Sequence, residues 1–361
     1  MIIERVLTGT VDQPYQDKGW AFALSKASVS RGLVLAVEAD GLRGFGYAAS
    51  AVHIGEVLDG MREAVGTIFA PVLVGSDAFN VESIMGQVDH SLRGYSRTKA
   101  AIEGALLDLI GKSLGQPLYR LLGGLVRDRI QVVRIIPIKS PELMAENAAQ
   151  VVADGYRYLK IKVGYDPVED VERVRAIRTK VGPDVVLTLD ANQGWGTPAD
   201  AIRALRRMDD LDIALVEQPI RVDDFDGLAA VSAAVEIPIE ADESAGSVAD
   251  VMRLAAGRSV DRVSLKTGKL GGPRNVKRAA AICEAANIRC RMGMSGAARM
   301  ISAVDMHLIA STPNIDFACE VGEFTRMEYD ATEGLEVVDG YLTVPTAPGH
   351  GASLKTEVAL A

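Results

Sequence analysis

Between residues 130 and 325 the chain repeats one unit, a short β-branched run followed by a helical stretch, renewed about every 25 residues. The runs fall at 132–138, 158–163, 185–190, 213–217, 237–242, 262–266, 288–292 and 316–320, with helical segments such as 167–180 and 198–208 between them. Strands that alternate with helices pair in parallel, and eight of them predict a closed βα barrel over residues 129–325 rather than an open sheet. No glycine fingerprint follows the first run, which argues against a dinucleotide-binding sheet.

The flanks have a different texture. Residues 1–128 read as an α+β domain, with a strand over 31–40, a turn over 40–46 and a strand edge over 45–50. In 98–115, Ala101, Ile102, Ala105, Leu106, Leu109 and Ile110 recur at helical spacing, and Gly115 and Pro117 end the helix. The tail, 326–361, returns to turns and short strands and is expected to rejoin and complete the N-terminal domain.

Composition narrows the functional classes. Of 361 residues, 48% are hydrophobic and 24% charged, as in soluble globular proteins, and the net charge of −9 argues against a nucleic-acid partner. No apolar run is long enough to span a bilayer, and the first residues lack a secretory pattern. Three cysteines without C-x-x-C spacing fit a reducing, cytoplasmic location.

Active sites of βα barrels lie at the C-terminal ends of the strands. The ends here carry Lys160 and Lys162, then Asp190 and Asn192, then Glu217, then Asp242 and Glu243, then Lys266. A single acid in such a place reads equally well as a helix N-cap. Three acids at successive ends would repel one another without a cation, and an all-oxygen set suits a hard ion such as Mg²⁺, with Mn²⁺ as a substitute. Lys160 and Lys162 share one strand face, which predicts lowered pKa values and a general-base role, with Lys160 supporting Lys162. Lys266 is expected to stand across the cation from Lys162, and Lys269 to be a solvated loop charge.

The motifs Lys160-Ile-Lys162, Asp190-Ala-Asn192-Gln-Gly-Trp195, Glu217-Gln-Pro219, Ala241-Asp242-Glu243-Ser244 and Leu265-Lys266 closely resemble the muconate-lactonizing-enzyme subgroup of the enolase superfamily. The resemblance covers essentially the whole chain. It implies a modified (β/α)7β TIM-like barrel with an α+β capping domain, Mg²⁺ held by Asp190, Glu217 and Asp242, and Lys162 and Lys266 as the acid/base pair. It also implies a homo-oligomer and abstraction of a proton α to a substrate carboxylate. The superfamily is itself the standing example of a lysine base working beside Mg²⁺. No histidine follows the seventh run, Cys290-Arg-Met-Gly-Met294, so the chain departs from the mandelate-racemase branch.

Substrate choice is expected from two cap loops, 13–26 with Tyr15, Trp20 and Phe22, and 47–54. Tyr47 stands where the family often has Glu, and His53 reads as a surface or packing residue. Asn192, Ser295, Glu320 and Glu323 complete the candidate substrate contacts. The Asp-containing motif of dipeptide epimerases is absent after the eighth run, and a Glu there suits a cationic nitrogen or the position found in cycloisomerases. Three readings follow: a racemase or epimerase of an N-substituted amino acid, dipeptide or betaine; a muconate-type cycloisomerase or related lyase or dehydratase; and a metal-free Schiff-base or ligand-binding barrel, which leaves the three acids unexplained.

Overall fold

The computed structural model describes residues 1–361 except Leu24, Ala27 and Glu357, and without the side chains of Ala21, Phe22, Ser25, Lys26 and His53. The expectations for Phe22 and His53 therefore lie outside the described residues.

The cap is an antiparallel sheet of β1 (Arg5–Pro14), β2 (Val29–Ala39) and β3 (Leu42–Ala49), in that spatial order. The turn between β2 and β3 is shorter than the sequence suggests. Asp40 and Gly41, both at positive φ, make the two-residue reversal that matches strand twist, so the strand begins at Leu42. Helices α1 (Leu58–Ala64) and α3 (Ser96–Ser113) pack on the sheet, and α2 (Val81–Ser91) packs on α3. The apolar positions read for α3 are buried, and it lies so close to β3 that a Cβ at Gly46 would overlap the Ala101 carbonyl.

Seven parallel strands follow: β4 (Val133–Ile136), β5 (Tyr158–Lys162), β6 (Val186–Asp190), β7 (Ile213–Glu217), β8 (Ile239–Ala241), β9 (Arg262–Leu265) and β10 (Arg289–Met292). They form one sheet in sequence order. The eighth run, expected as a strand over 316–320, makes no continuous ladder. It closes the barrel through single bridges, Cys290 to Ile315 on one side and Val132 to Cys319 on the other. Hydrogen bonds from Cys319 N–H to Gln131 and from Glu320 N–H to Met292 complete the seam.

Helices α4 (Pro141–Ala153), α5 (Pro167–Val181), α6 (Pro198–Arg206), α7 (Phe225–Ala234), α8 (Val248–Gly257), α9 (Pro273–Ala285) and α10 (Arg299–Ala310) join the strands. Ser140, Asp166, Thr197, Asp224 and Ser247 cap α4 to α8, each accepting a backbone N–H at its helix start. The tail returns to the cap, where Thr8 and Ala361 exchange two backbone hydrogen bonds beside β1.

His307 on α10 ties barrel, tail and cap-side chain together. Its Nδ1 accepts the Tyr119 N–H, so the neutral ring donates from Nε2 to the His350 carbonyl. Burial pushes its pKa down to about 4. The unfolded chain then binds more protons than the folded one below its ordinary pKa, so stability falls as pH drops through that range. Urea unfolding is expected to show a loss of up to about 3 kcal/mol between pH 6.5 and 4 from this group. His307→Gln should flatten that slope, and an unchanged slope would contradict the assignment.

Candidate active site

The cap assignments above decide what the strand-end acids are not. α6, α7 and α8 are capped by Thr197, Asp224 and Ser247, while Asp190, Glu217 and Asp242 cap none of them. Asp242 opens a short 3-10 turn, Glu243–Ala245, without a side-chain cap bond. All three acids are buried, a costly arrangement unless each is paired.

The pairing comes from lysines. Lys160, 1% exposed, reaches Asp190 Oδ2, Glu217 Oε2 and Glu320 Oε1, each at 2.7 Å. Two residues on and on the same face of β5, Lys162 donates to Asp190 Oδ2 at 2.6 Å and to Asn192 Oδ1 at 2.9 Å. Asn192 sits at positive φ with its N–H on Asp190 Oδ1, and its Nδ2 donates to Glu243 Oε1. Lys266 pairs with Asp242 Oδ2. Gln218 aligns the neighbouring strand end, its Oε1 accepting both Asp242 N–H and Ser244 N–H.

Two expectations are corrected here. Lys269 is no solvated charge: its Nζ donates to Asp242 Oδ1, the Asp242 carbonyl and the Ser264 carbonyl within 2.8 Å. Its position one turn beyond Lys266, on the short helix Thr267–Leu270, folds it back under the strand end. The pKa of Lys160 also moves against expectation. Burial opposes the charge on Lys160, but Asp190, Glu217 and Glu320 outweigh it and hold the pKa well above the ordinary value. Lys266 is raised in the same way, burial being outweighed by Asp242 and Glu217. The repulsion between neighbouring lysines is smaller than the attraction of the acids that surround them.

The other candidate residues fall into separate clusters. Glu320 lies in the first network, on Lys160 and 3.1 Å from Arg291 Nη1. Glu323 pairs with Arg326 and lies 3.7 Å from Arg134 Nη1. Arg326 in turn covers the Trp20 ring at 4.2 Å, and Trp20 stacks on Tyr15. Ser295 takes the Thr267 hydroxyl at 3.0 Å and offers its carbonyl to Arg97 Nη1 at 2.7 Å. Sequence reasoning missed Arg97, Glu240 and Arg291. For the last two a signal was available, since each is a charged residue in the interior of a short barrel-strand run.

Among the described residues no three acids are arranged as a ready metal site, and the three that converge, Asp190, Glu217 and Glu320, do so on the Lys160 ammonium. The donor set nevertheless fits a hard divalent ion. It offers only carboxylate oxygens, and Glu217 Oε1 is buried without a hydrogen-bond partner. Burial, with Asp190 beside it, pushes the Glu217 carboxyl well above the usual range, so this acid has the most to gain from a nearby cation.

Two family descriptions match. "Mandelate racemase / muconate lactonizing enzyme, N-terminal domain" spans residues 8–123, and "Enolase C-terminal domain-like" spans 143–358. The chain belongs to the mandelate racemase/muconate lactonizing enzyme family. It is similar to the L-Ala-D/L-Glu epimerase of Clostridium acetobutylicum, 35% identical over 86% of this chain and 87% of that one. The N-succinyl-L-Arg/Lys racemase of Bacillus cereus is 33% identical over 80% of each chain. A dipeptide epimerase of Enterococcus faecalis, solved with Mg and the dipeptide L-Leu-L-Tyr, superposes with a TM-score of 0.93 at 33% identity, covering 98% of this chain and 100% of its own. As a member of this family, the chain is an enzyme of the enolase superfamily, alongside racemases, epimerases and cycloisomerases.

Proposed function

We propose that this enzyme racemises or epimerises an amino-acid derivative by moving the proton α to its carboxylate, with Asp190, Glu217 and Asp242 holding Mg²⁺ or, in substitution, Mn²⁺. The observation that carries the reading is the placement of two lysines. In the ring formed by β4 to β10 and the closing segment, β5 and β9 are separated by β6, β7 and β8 on one side and by β10, the closing segment and β4 on the other, so Lys162 and Lys266 approach the mouth from opposite sides.

Opposed bases suit a reaction that removes a proton from one face of a carbon and returns one to the other. In one direction a neutral lysine takes the α-proton at Nζ while the opposite ammonium delivers one; in the reverse direction the roles exchange. Asn192 and Asp190 hold the Lys162 ammonium in place, and Asp242 holds that of Lys266. A divalent ion on the three carboxylates would supply positive charge for the developing enediolate and offset the acids that hold Lys266 protonated. Lys160 keeps the Asp190 and Glu217 carboxylates together.

The test is proton exchange with solvent. The enzyme is incubated in D₂O with N-acylated amino acids, dipeptides and betaine or proline derivatives, with Mg²⁺ and separately with EDTA. A gain of one deuterium that requires the metal is expected in one class. No exchange, with turnover of a muconate-like diacid instead, would replace this reading by the cycloisomerase one, which needs a single base.

A further inference from the structure

The interior of a βα barrel is ordinarily packed with branched apolar side chains. Here two oppositely charged residues are sealed inside it, Glu240 on β8 and Arg291 on β10, both 0% exposed. Arg291 Nε and Nη2 donate to Glu240 Oε2 at 2.8 and 2.6 Å. A buried ion pair of this kind can often be replaced by apolar residues at little cost, so stability alone gives a weak reason for it.

Its geometry offers a stronger one. The Arg291 Nη2 that binds Glu240 also binds Glu217 Oε2, the oxygen that Lys160 holds from the other side. Glu217 Oε1 is left buried with no hydrogen-bond partner. The third nitrogen, Nη1, lies 3.1 Å from Glu320 Oε1. The guanidinium thus ties the Glu217 carboxylate to Glu240, with Glu320 in ion-pair range, a task that suits a planar fork and not a lysine's point charge.

We propose that Arg291, anchored by Glu240, is a positioning residue that commits one oxygen of Glu217 to the barrel interior and so presents the other to a divalent cation. The inference rests on Glu217 being a cation ligand. Outer partners of metal ligands act in this way, and their loss costs affinity by about 10- to 100-fold.

Arg291→Met alone leaves Glu240 an unpaired buried carboxylate, so the informative variant is Arg291→Met with Glu240→Met. It removes one charge of each sign, which leaves the net charge of the interior unchanged and isolates the loss of positioning. Calorimetric titration of the metal-free protein with Mg²⁺ is expected to show affinity at least about tenfold weaker than wild type. The thermal midpoint of the metal-free form should stay close to wild type, so that the weaker binding reflects lost positioning and not a destabilised fold. If the double variant does not fold, Arg291→Lys, which keeps the charge and loses the fork, is expected to show the same weakening. Affinity within twofold of wild type in the folded variant would overturn the inference. A wild-type protein that binds no Mg²⁺ would overturn both it and the cation reading beneath it.

Discussion

Lys266→Ala and Lys162→Ala are each expected to abolish racemisation, with kcat lowered by about 10²- to 10⁴-fold, the range a positioned acid or base contributes. The size of the effect follows from geometry. Each lysine comes from its own side of the ring, and no other described lysine lies at the same strand ends except Lys160 and Lys269. Lys160 is closed in by three carboxylates, and Lys269 is bound to two backbone carbonyls and Asp242. Neither is placed to substitute without breaking those contacts. Polarimetry on the purified variants measures the loss, and normal racemisation by both would contradict the two-base account.

Asp242→Asn is expected to weaken Mg²⁺ binding by about 100-fold or more, at least the cost of losing an outer partner. Burial opposes ionisation of Asp242, yet Lys266 and Lys269 outweigh it and hold its carboxyl well below the usual range. The substitution removes that charge from a site where both lysines converge, so the remaining acids would face two uncompensated ammonium groups. Calorimetric titration with Mg²⁺ checks this, and unchanged affinity would remove Asp242 from the ligand set.

Much of this site was legible before the structure, and the reason is the regular spacing of the barrel. When each unit is one strand and one helix, residues about one unit apart land at adjacent strand ends. Lys162, Asp190, Glu217, Asp242 and Lys266 follow that spacing. The closing segment was overestimated because DFACE has strand composition, whereas its actual pairing is one bridge on each side. Lys269 was misjudged because a loop sequence does not reveal that Thr267–Leu270 coils into a turn that aims the side chain inward.

What sequence spacing could not supply was contact across the barrel. Lys160 meets Glu320, 160 residues away, only because the last segment closes against β4 and β10. Arg291 likewise meets Glu217 and Glu240 from strands three and two places away across the barrel interior. Local pattern also predicts a lowered pKa for Lys160, because it counts the neighbouring lysine on the same strand and not the acids arriving from others.

The most direct test of the two-base account is deuterium incorporation from each enantiomer of the substrate separately, in wild type and in the two lysine variants. Wild type is expected to exchange the α-proton of both enantiomers, Lys162→Ala that of only one, and Lys266→Ala that of only the other. Exchange of both enantiomers at wild-type rates in either variant would contradict it.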